Sequence, residues 1–172
     1  MNIIPAIDLI DGQNVRLSQG DYEKKSQMKR TPEEALEFYA GFKSVTRIHV
    51  VDLMGALKQE ALESNLVRKL SELSSLPLEI GGGLRSLETI EQYHEMGVEY
   101  FILGTRAIVD VPWLTEAVKK FPGKIFVGVD AKEDDIYING WTENSGVKID
   151  EYLAEIETLD LAGVIYTDIN KD

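Results

Sequence analysis

Short apolar runs alternate with amphipathic segments along this chain. The runs are rich in β-branched residues, and a polar or glycine-rich stretch follows each of them; they read NIIPAID, RIHVVDL, LPLEIGGG, EYFILGT, KIFVGVD and GVIYTDIN. Apolar runs of about four to eight residues bounded by turn signals are typical of buried strands. The pattern therefore predicts six such strands.

Helix signals lie between most of these runs. Thr31, Pro32 and Glu34 combine an N-cap, a first-turn proline and a capping-box glutamate, and Gly41 follows as a C-cap. Further helices are predicted over ESNLVRKLSEL, from Ser86 to Gly97, from Asp110 to Gly123 and from Asp150 to Gly163. Strands that alternate with helices indicate a parallel sheet, either doubly wound or closed as a (β/α)8 barrel.

An internal repeat favours the barrel. The first strand ends in Asp8 and precedes the strand-like NVRLS, whereas the fifth ends in Asp130 and precedes IYING. The two aspartates are 122 residues apart, so two copies make about 244 residues, close to the roughly 250 of such barrels. We therefore predict a (β/α)8 barrel of which six units are present. Residues 1–172 are expected to form one incomplete domain, with a first half-barrel over about 1–122 and the start of the second over about 123–172.

Composition restricts the possible partners. A net charge of −12 argues against binding to nucleic-acid backbones or anionic membranes, so any anionic ligand must be held locally. The absence of cysteine excludes disulfides and thiolate metal sites. No leader or membrane span is visible, and we expect a cytoplasmic protein. Residues 19–30 are charged and lack an apolar period, which predicts a mobile loop over one face.

Two neighbouring strand ends carry features of a phosphate site. Three glycines, 81–83, follow one strand and precede the helix cap Ser86, and Gly104, Thr105 and Arg106 follow the next strand. Glycines allow backbone N–H groups to approach an anion, and a helix start adds a positive dipole end. Each loop alone is also compatible with a tight turn, but together they favour phosphate binding.

Asp8 and Asp130 occupy the strand ends where barrel enzymes place catalytic groups, on opposite sides of the mouth. Such a pair suits a general base and a general acid, while a capping role is the alternative for either residue. His49 faces either the pocket or the helices, and Trp141 is either a core residue or an aromatic lid. No metal-binding or nucleophile-elbow motif is present in the sequence.

The segments PAIDL, VRLSQGDY, HVVDL, IGGGLRS, GTRAI, GVDAK, NGWTE and YTDINKD together resemble the isomerase family of histidine biosynthesis over the whole chain. That family converts phosphoribosylformimino-aminoimidazole carboxamide ribotide, a substrate with two phosphates, from an aminoaldose to an aminoketose. The resemblance implies Asp8 as general base, Asp130 as general acid, and no cofactor or metal. It further implies phosphate contacts and pocket positions at Gly82, Gly83, Arg85, Gly104, Thr105, Arg16, His49, Trp141, Thr167 and Asp172.

Two departures from the family pattern leave alternatives open. The loop after Asp130 reads KEDD where relatives often carry a glycine pair, and the family's second phosphate site follows strands 7 and 8, which this sequence lacks. We therefore expect residues 1–172 alone to be nearly inactive, whereas a full-length protein is expected to be an active monomer. Ile7 and Trp141 favour the isomerase over the sister cyclase. A dual-substrate isomerase and a non-catalytic phosphate-binding fragment, which pairs with another copy over its open edges, remain alternatives.

Overall fold

The computed structural model describes residues 2–18 and 20–171. All six predicted strands are present and form the parallel part of one sheet, in the spatial order of the chain: β1 (Ala6–Ile10), β4 (Ile48–Asp52), β5 (Leu78–Gly81), β6 (Tyr100–Leu103), β7 (Ile125–Lys132) and β10 (Gly163–Asp168). Within the described residues the sheet is not closed.

Helices connect these strands: α1 (Pro32–Ala40), α2 (Leu53–Lys58), α3 (Ser64–Leu73), α4 (Leu87–Glu95), α5 (Thr105–Val109), α6 (Val111–Lys120) and α7 (Ile149–Ile156). The predicted capping box of α1 is confirmed, because the Glu34 N–H donates to Thr31 Oγ1 at 3.2 Å and the Thr31 N–H donates to the Glu34 carboxylate at 2.9 Å. Ser86 and Asp110 cap α4 and α6 as predicted. No helix among the described residues is long and apolar enough to cross a bilayer.

The predicted helix from Asp150 to Gly163 is wrong at both ends. A strand, β9 (Glu143–Lys148), runs directly into α7, and the Ile149 N–H donates to the Asp134 carbonyl at 3.1 Å. This backbone bond fixes the helix start, so Asp150 lies in the first turn rather than at the cap. The helix ends at Ile156, well before the strand that begins with Gly163.

Two antiparallel hairpins flank the parallel sheet. The first, β2 (Gln13–Ser18) with β3 (Asp21–Gln27), pairs with β1, and the second, β8 (Asp135–Ile138) with β9, pairs with β7. The prediction of a loop over 19–30 is therefore wrong for 21–27, which form β3 through backbone pairing to β2 while most of their side chains stay exposed. Residue 19 lies outside the described residues, and 28–30 are in neither a helix nor a strand. The expected open edge of the first strand is also partly covered, since β2 pairs along it.

The predicted repeat is visible in the strand register. Asp8 in β1 pairs with Val51 of β4 on one side and with Val15 of β2 on the other. Asp130 in β7 pairs with Thr167 of β10 and with Tyr137 of β8 in the same parallel and antiparallel senses. The order strand, hairpin, helix, strand thus occurs twice, with an aspartate at the matching point of each copy.

Side chains alternate along the strands between two faces of the sheet, one that packs into the core and one that faces a cavity. Ile7, Val50, Ile80 and Val127 are buried in one apolar cluster that includes buried residues of the helices. The neighbouring residues on each strand lie on the opposite face, where a cavity is lined by Ala6, Asp8, His49, Val51, Gly81 and Gly128. Because a shift of one residue would exchange the two faces, this register places Asp8 and Asp130 at the cavity.

Candidate active site

A cavity of about 780 Å³ lies over the carboxyl ends of the parallel strands. The structure brings together every predicted site residue that it describes: Asp8, Arg16, His49, Gly82, Gly83, Arg85, Gly104, Thr105, Asp130, Trp141 and Thr167. Asp172 lies outside the described residues. Residues that sequence motifs place at separate strand ends therefore share one space.

Asp8 and Asp130 approach the cavity from the interiors of β1 and β7. Each backbone is paired to strands on both sides, so the position of each Cα is fixed by the sheet rather than by a loop. Both carboxylates are half-buried at the cavity wall. A pair held in this way can serve a ligand from two sides without a large rearrangement.

His49 faces the cavity and not the helices. It lies in β4 opposite Ala6, whereas Asp8 lies opposite Val51, two residues further along. His49 is therefore farther than Asp8 from the carboxyl ends of the strands, at the deeper end of the cavity. Its Nδ1 atom is 2.6 Å from the Oε1 atom of Glu79 on β5. The imidazole ring of His49 thus contacts the carboxylate of Glu79, which does not itself line the cavity.

The glycine loop after β5 packs tightly against another segment of backbone. Gly82 and Gly83 have φ of 95° and 73°, in the left-handed region that favours glycine. A Cβ atom on Gly82 would lie 2.0 Å from the Asp52 carbonyl oxygen, and one on Gly83 would lie 2.4 Å from the Glu60 carbonyl oxygen. These two glycines are therefore required by chain packing, whatever ligand they meet.

The fully buried Asp52 carboxylate organises the segment that the glycine loop contacts. It accepts hydrogen bonds from the N–H groups of Gly55 at 2.6 Å, Leu62 at 2.6 Å and Glu63 at 3.0 Å. These bonds hold residues 53–63 against the loop at 82–83. Asp52 is the last residue of β4, whereas Asp8 lies within β1, which continues to Ile10 beyond the predicted strand end. The Asp52 carboxylate serves the backbone instead of the cavity.

The end of β6 supplies the more open part of the predicted phosphate site. A Cβ atom on Gly104 would meet no atom within 4 Å. Thr105 Oγ1 accepts a hydrogen bond from the Asn139 N–H at 2.9 Å, which leaves its own hydroxyl hydrogen available for donation. Burial, and then the nearby positive charge of Arg106, lower the pKa of the Arg85 guanidinium. Two arginines are thus close enough to interact at this edge of the cavity.

The tips of the two hairpins meet at the cavity mouth. A Cβ atom on Gly20 would lie 2.4 Å from ring atoms of Trp141, so the glycine allows the indole to pack directly on the backbone. Gln59 Nε2 donates to Asn139 Oδ1 at 2.8 Å across the cavity. Trp141 is half-buried and lines the cavity, which agrees with the aromatic-lid alternative rather than with a core residue.

The charge of the cavity differs from that of the whole chain. Its lining contains four basic side chains, Arg16, Lys24, Arg85 and Arg106, against two carboxylates, Asp8 and Asp130. The chain as a whole carries a net charge of −12. The basic groups therefore concentrate where the sequence predicts an anionic ligand, although Lys24 and Arg106 also pair with Asp21 and Asp110.

Sequence reasoning missed the contribution of β3. Tyr22, Lys24 and Ser26 line the cavity at alternate positions of that strand. Burial raises the pKa of the Tyr22 hydroxyl, the charges of Asp52 and Asp8 add to this effect, and the hydroxyl donates to the Leu53 carbonyl at 2.9 Å. These alternate positions are the sequence pattern of a strand, but the pattern is hard to recognise because most residues of β3 are charged or polar.

Six parallel strands with connecting helices, and a cavity over their carboxyl ends, define this protein as an α/β barrel protein of the (β/α)8 class. The chain belongs to the histidine biosynthesis protein family, whose family model matches residues 2–172. Members of this family are enzymes, and the family includes both the ribotide isomerase and the cyclase.

Proposed function

We propose that this protein is the aldose–ketose isomerase of the family, acting on the bisphosphorylated aminoaldose described above. The observation that carries the proposal is the placement of Asp8 and Asp130 at matching register positions of two repeats that share one cavity. Two carboxylates in one cavity can supply a base and an acid to a single sugar.

In the proposed reaction, Asp130 donates a proton to the ring oxygen of the ribose. The bond between this oxygen and C1 breaks, the ring oxygen becomes a hydroxyl, and C1 forms a protonated Schiff base with its amine nitrogen. Asp8 then removes the proton from C2, and the C2–H electron pair forms an enolamine. Tautomerisation of the enolamine to the ketone places a hydrogen on C1, so the net change moves one hydrogen from C2 to C1.

The cationic side of the cavity supports a phosphate group at one end of this substrate. Gly83, Gly104 and Thr105 line the cavity together with Arg85 and Arg106, and these two arginines are close enough to interact. Charge-assisted hydrogen bonds from guanidinium and backbone groups are the usual means of holding phosphate. Positioning by this end of the ligand would place the sugar between the two aspartates.

An assay of substrate and product tests the proposal. The described residues contain six of the eight strands of the family fold, so the assay uses residues 1–172 and also the chain extended by two further units. The extended chain should convert the aminoaldose to the aminoketose without added cofactor. If it instead cyclises the aminoketose in the presence of ammonia and leaves the aminoaldose unchanged, the sister cyclase activity replaces the proposal. Phosphate binding without either conversion favours a binding fragment.

A further inference from the structure

A buried carboxylate lies beneath the cavity, outside the residues proposed to act on the substrate. Glu79 is on β5, its side chain is 3% exposed, and it does not line the cavity. Its Oε1 atom is 2.6 Å from His49 Nδ1, and its Oε2 atom is 2.7 Å from Arg47 Nε. A buried carboxylate between two basic side chains requires an explanation, since burial of charge is costly unless it is paired.

The two contacts of Glu79 are not equivalent. The contact with Arg47 is a close ion pair, but its Nε and Oε2 atoms are not aligned as a hydrogen bond. The Arg47 guanidinium instead lies over the rings of Tyr100 and Phe126, at 5.0 Å and 4.6 Å from their centroids. The hydrogen-bonding geometry of the carboxylate is therefore directed at His49.

We propose that Glu79 is a positioning residue that holds His49 in the tautomer with its hydrogen on Nδ1. A carboxylate accepts hydrogen bonds, so the Nδ1–H group donates to Glu79, and the Nε2 atom carries the lone pair. The ring lines the cavity, and Nε2 is the nitrogen that Glu79 does not engage. Nε2 then serves as the acceptor for a sugar hydroxyl at the cavity floor, below the level of Asp8.

This inference rests on the proposed function for the identity of the ligand, but the tautomer can be measured without any ligand. The chain has two histidines, His49 and His94, so the imidazole nitrogens give a simple NMR spectrum that a His94→Gln variant assigns. Wild-type His49 should show hydrogen on Nδ1. A wild-type spectrum with hydrogen on Nε2 would overturn the inference.

A matched pair of variants tests the role of the acceptor. Arg47→Met is present in both, so that no buried cation is left without its carboxylate. The Gln pair, Arg47→Met with Glu79→Gln, keeps a side-chain oxygen at position 79 that accepts from Nδ1–H. The Leu pair, Arg47→Met with Glu79→Leu, has no acceptor at that position. His49 should keep its tautomer in the Gln pair and shift toward the Nε2–H form in the Leu pair. Equal melting temperatures of the two pairs exclude a general loss of packing as the cause.

Kinetics of the same two pairs of substitutions, introduced into the extended chain, complete the test. The Leu pair should have a kcat about 10- to 100-fold below that of the Gln pair, as is typical when the partner that orients a functional histidine is lost. Identical His49 spectra or identical kcat values in the two pairs would overturn the positioning role. If neither the variants nor the wild-type extended chain isomerises the aminoaldose, while the spectra behave as expected, the proposed function fails and the control of the tautomer by Glu79 stands.

Discussion

Gly83 and Gly104 border the same cavity from neighbouring strand ends, yet they differ in what surrounds them. A Cβ atom on Gly83 would lie 2.4 Å from the Glu60 carbonyl oxygen, whereas one on Gly104 would meet nothing within 4 Å. Gly83 also has a left-handed φ of 73°, and Gly104 has not. One glycine is therefore needed for folding, and the other leaves room for a ligand.

Alanine substitution should separate these two roles. Gly83→Ala should lower the free energy of unfolding by at least about 1 kcal/mol, because a side chain in the left-handed region is strained even before the clash is counted. Gly104→Ala should unfold like the wild type but bind a sugar phosphate about 10-fold more weakly, because the added methyl group occupies the open space beside the backbone N–H and keeps the phosphate from it; one lost hydrogen bond to a charged group is worth about 1.5 kcal/mol or more. Urea denaturation and calorimetric titration measure the two effects. Unchanged phosphate affinity in Gly104→Ala would contradict the phosphate assignment.

Replacing either cavity aspartate should stop turnover and leave binding nearly intact. Asp8→Asn and Asp130→Asn keep the size of the side chain but remove proton transfer, so kcat should fall at least about 10²-fold, with a smaller change in KM. Asp134→Asn is the matched control, because Asp134 is exposed on the turn just beyond Asp130. Steady-state assays of the extended chain make the comparison, and undiminished turnover in Asp130→Asn would remove its acid role.

The buried Asp52 should matter for stability more than for proton transfer. Asp52→Ala leaves three backbone N–H groups without their acceptor, so the free energy of unfolding should fall by about 3 kcal/mol or more. Asp168→Ala is the control at the corresponding position of the second repeat, where the carboxylate is more exposed and pairs with Lys171. Its effect on urea denaturation should be small. An equal decrease in the free energy of unfolding in both variants would mean that the three hydrogen bonds to Asp52 do not account for its effect on stability.

Trp141 fluorescence should report the packing at the cavity mouth. The chain has two tryptophans, so a Trp113→Phe background isolates the Trp141 signal. In that background Gly20→Ala should displace the indole toward solvent and shift its emission to the red, because the added Cβ would lie 2.4 Å from the ring. Gly146→Ala has a similar left-handed φ but no neighbour within 4 Å, so it should leave the emission unchanged. A red shift in both variants would point to a general loosening of the fold.

The sequence predicted the parallel strands well because each is a continuous apolar run with a distinct end. It also predicted most of the cavity lining, since strand ends of a parallel sheet converge at one edge. The endings of PAID and HVVD look alike, however, and the sequence could not show that Asp8 faces the cavity while Asp52 caps the backbone. That difference depends on register: Asp8 lies opposite Val51, so Asp52 points to the other face.

Other features depend on contacts between distant segments. Glu79 lies within an apolar run, and its partners are about 30 residues earlier in the chain: His49 is on the neighbouring strand β4, and Arg47 directly precedes that strand. Such a cluster is recognisable only once the strands are aligned side by side. The strand β3 was missed for a related reason, because its stability comes from backbone pairing with β2 and not from an apolar face.

The backbone at the tip of the second hairpin has a consequence for the evolution of this protein. Asn139, Gly140 and Trp141 all have left-handed φ, of 55°, 64° and 69°, although a bulky aromatic residue in that region costs on the order of 1–3 kcal/mol. Glycine at position 141 would relieve this strain, but it would also remove the indole that packs on the Gly20 backbone. The conformation of this turn and the aromatic residue at the cavity mouth are therefore linked, and we expect evolution to exchange them together.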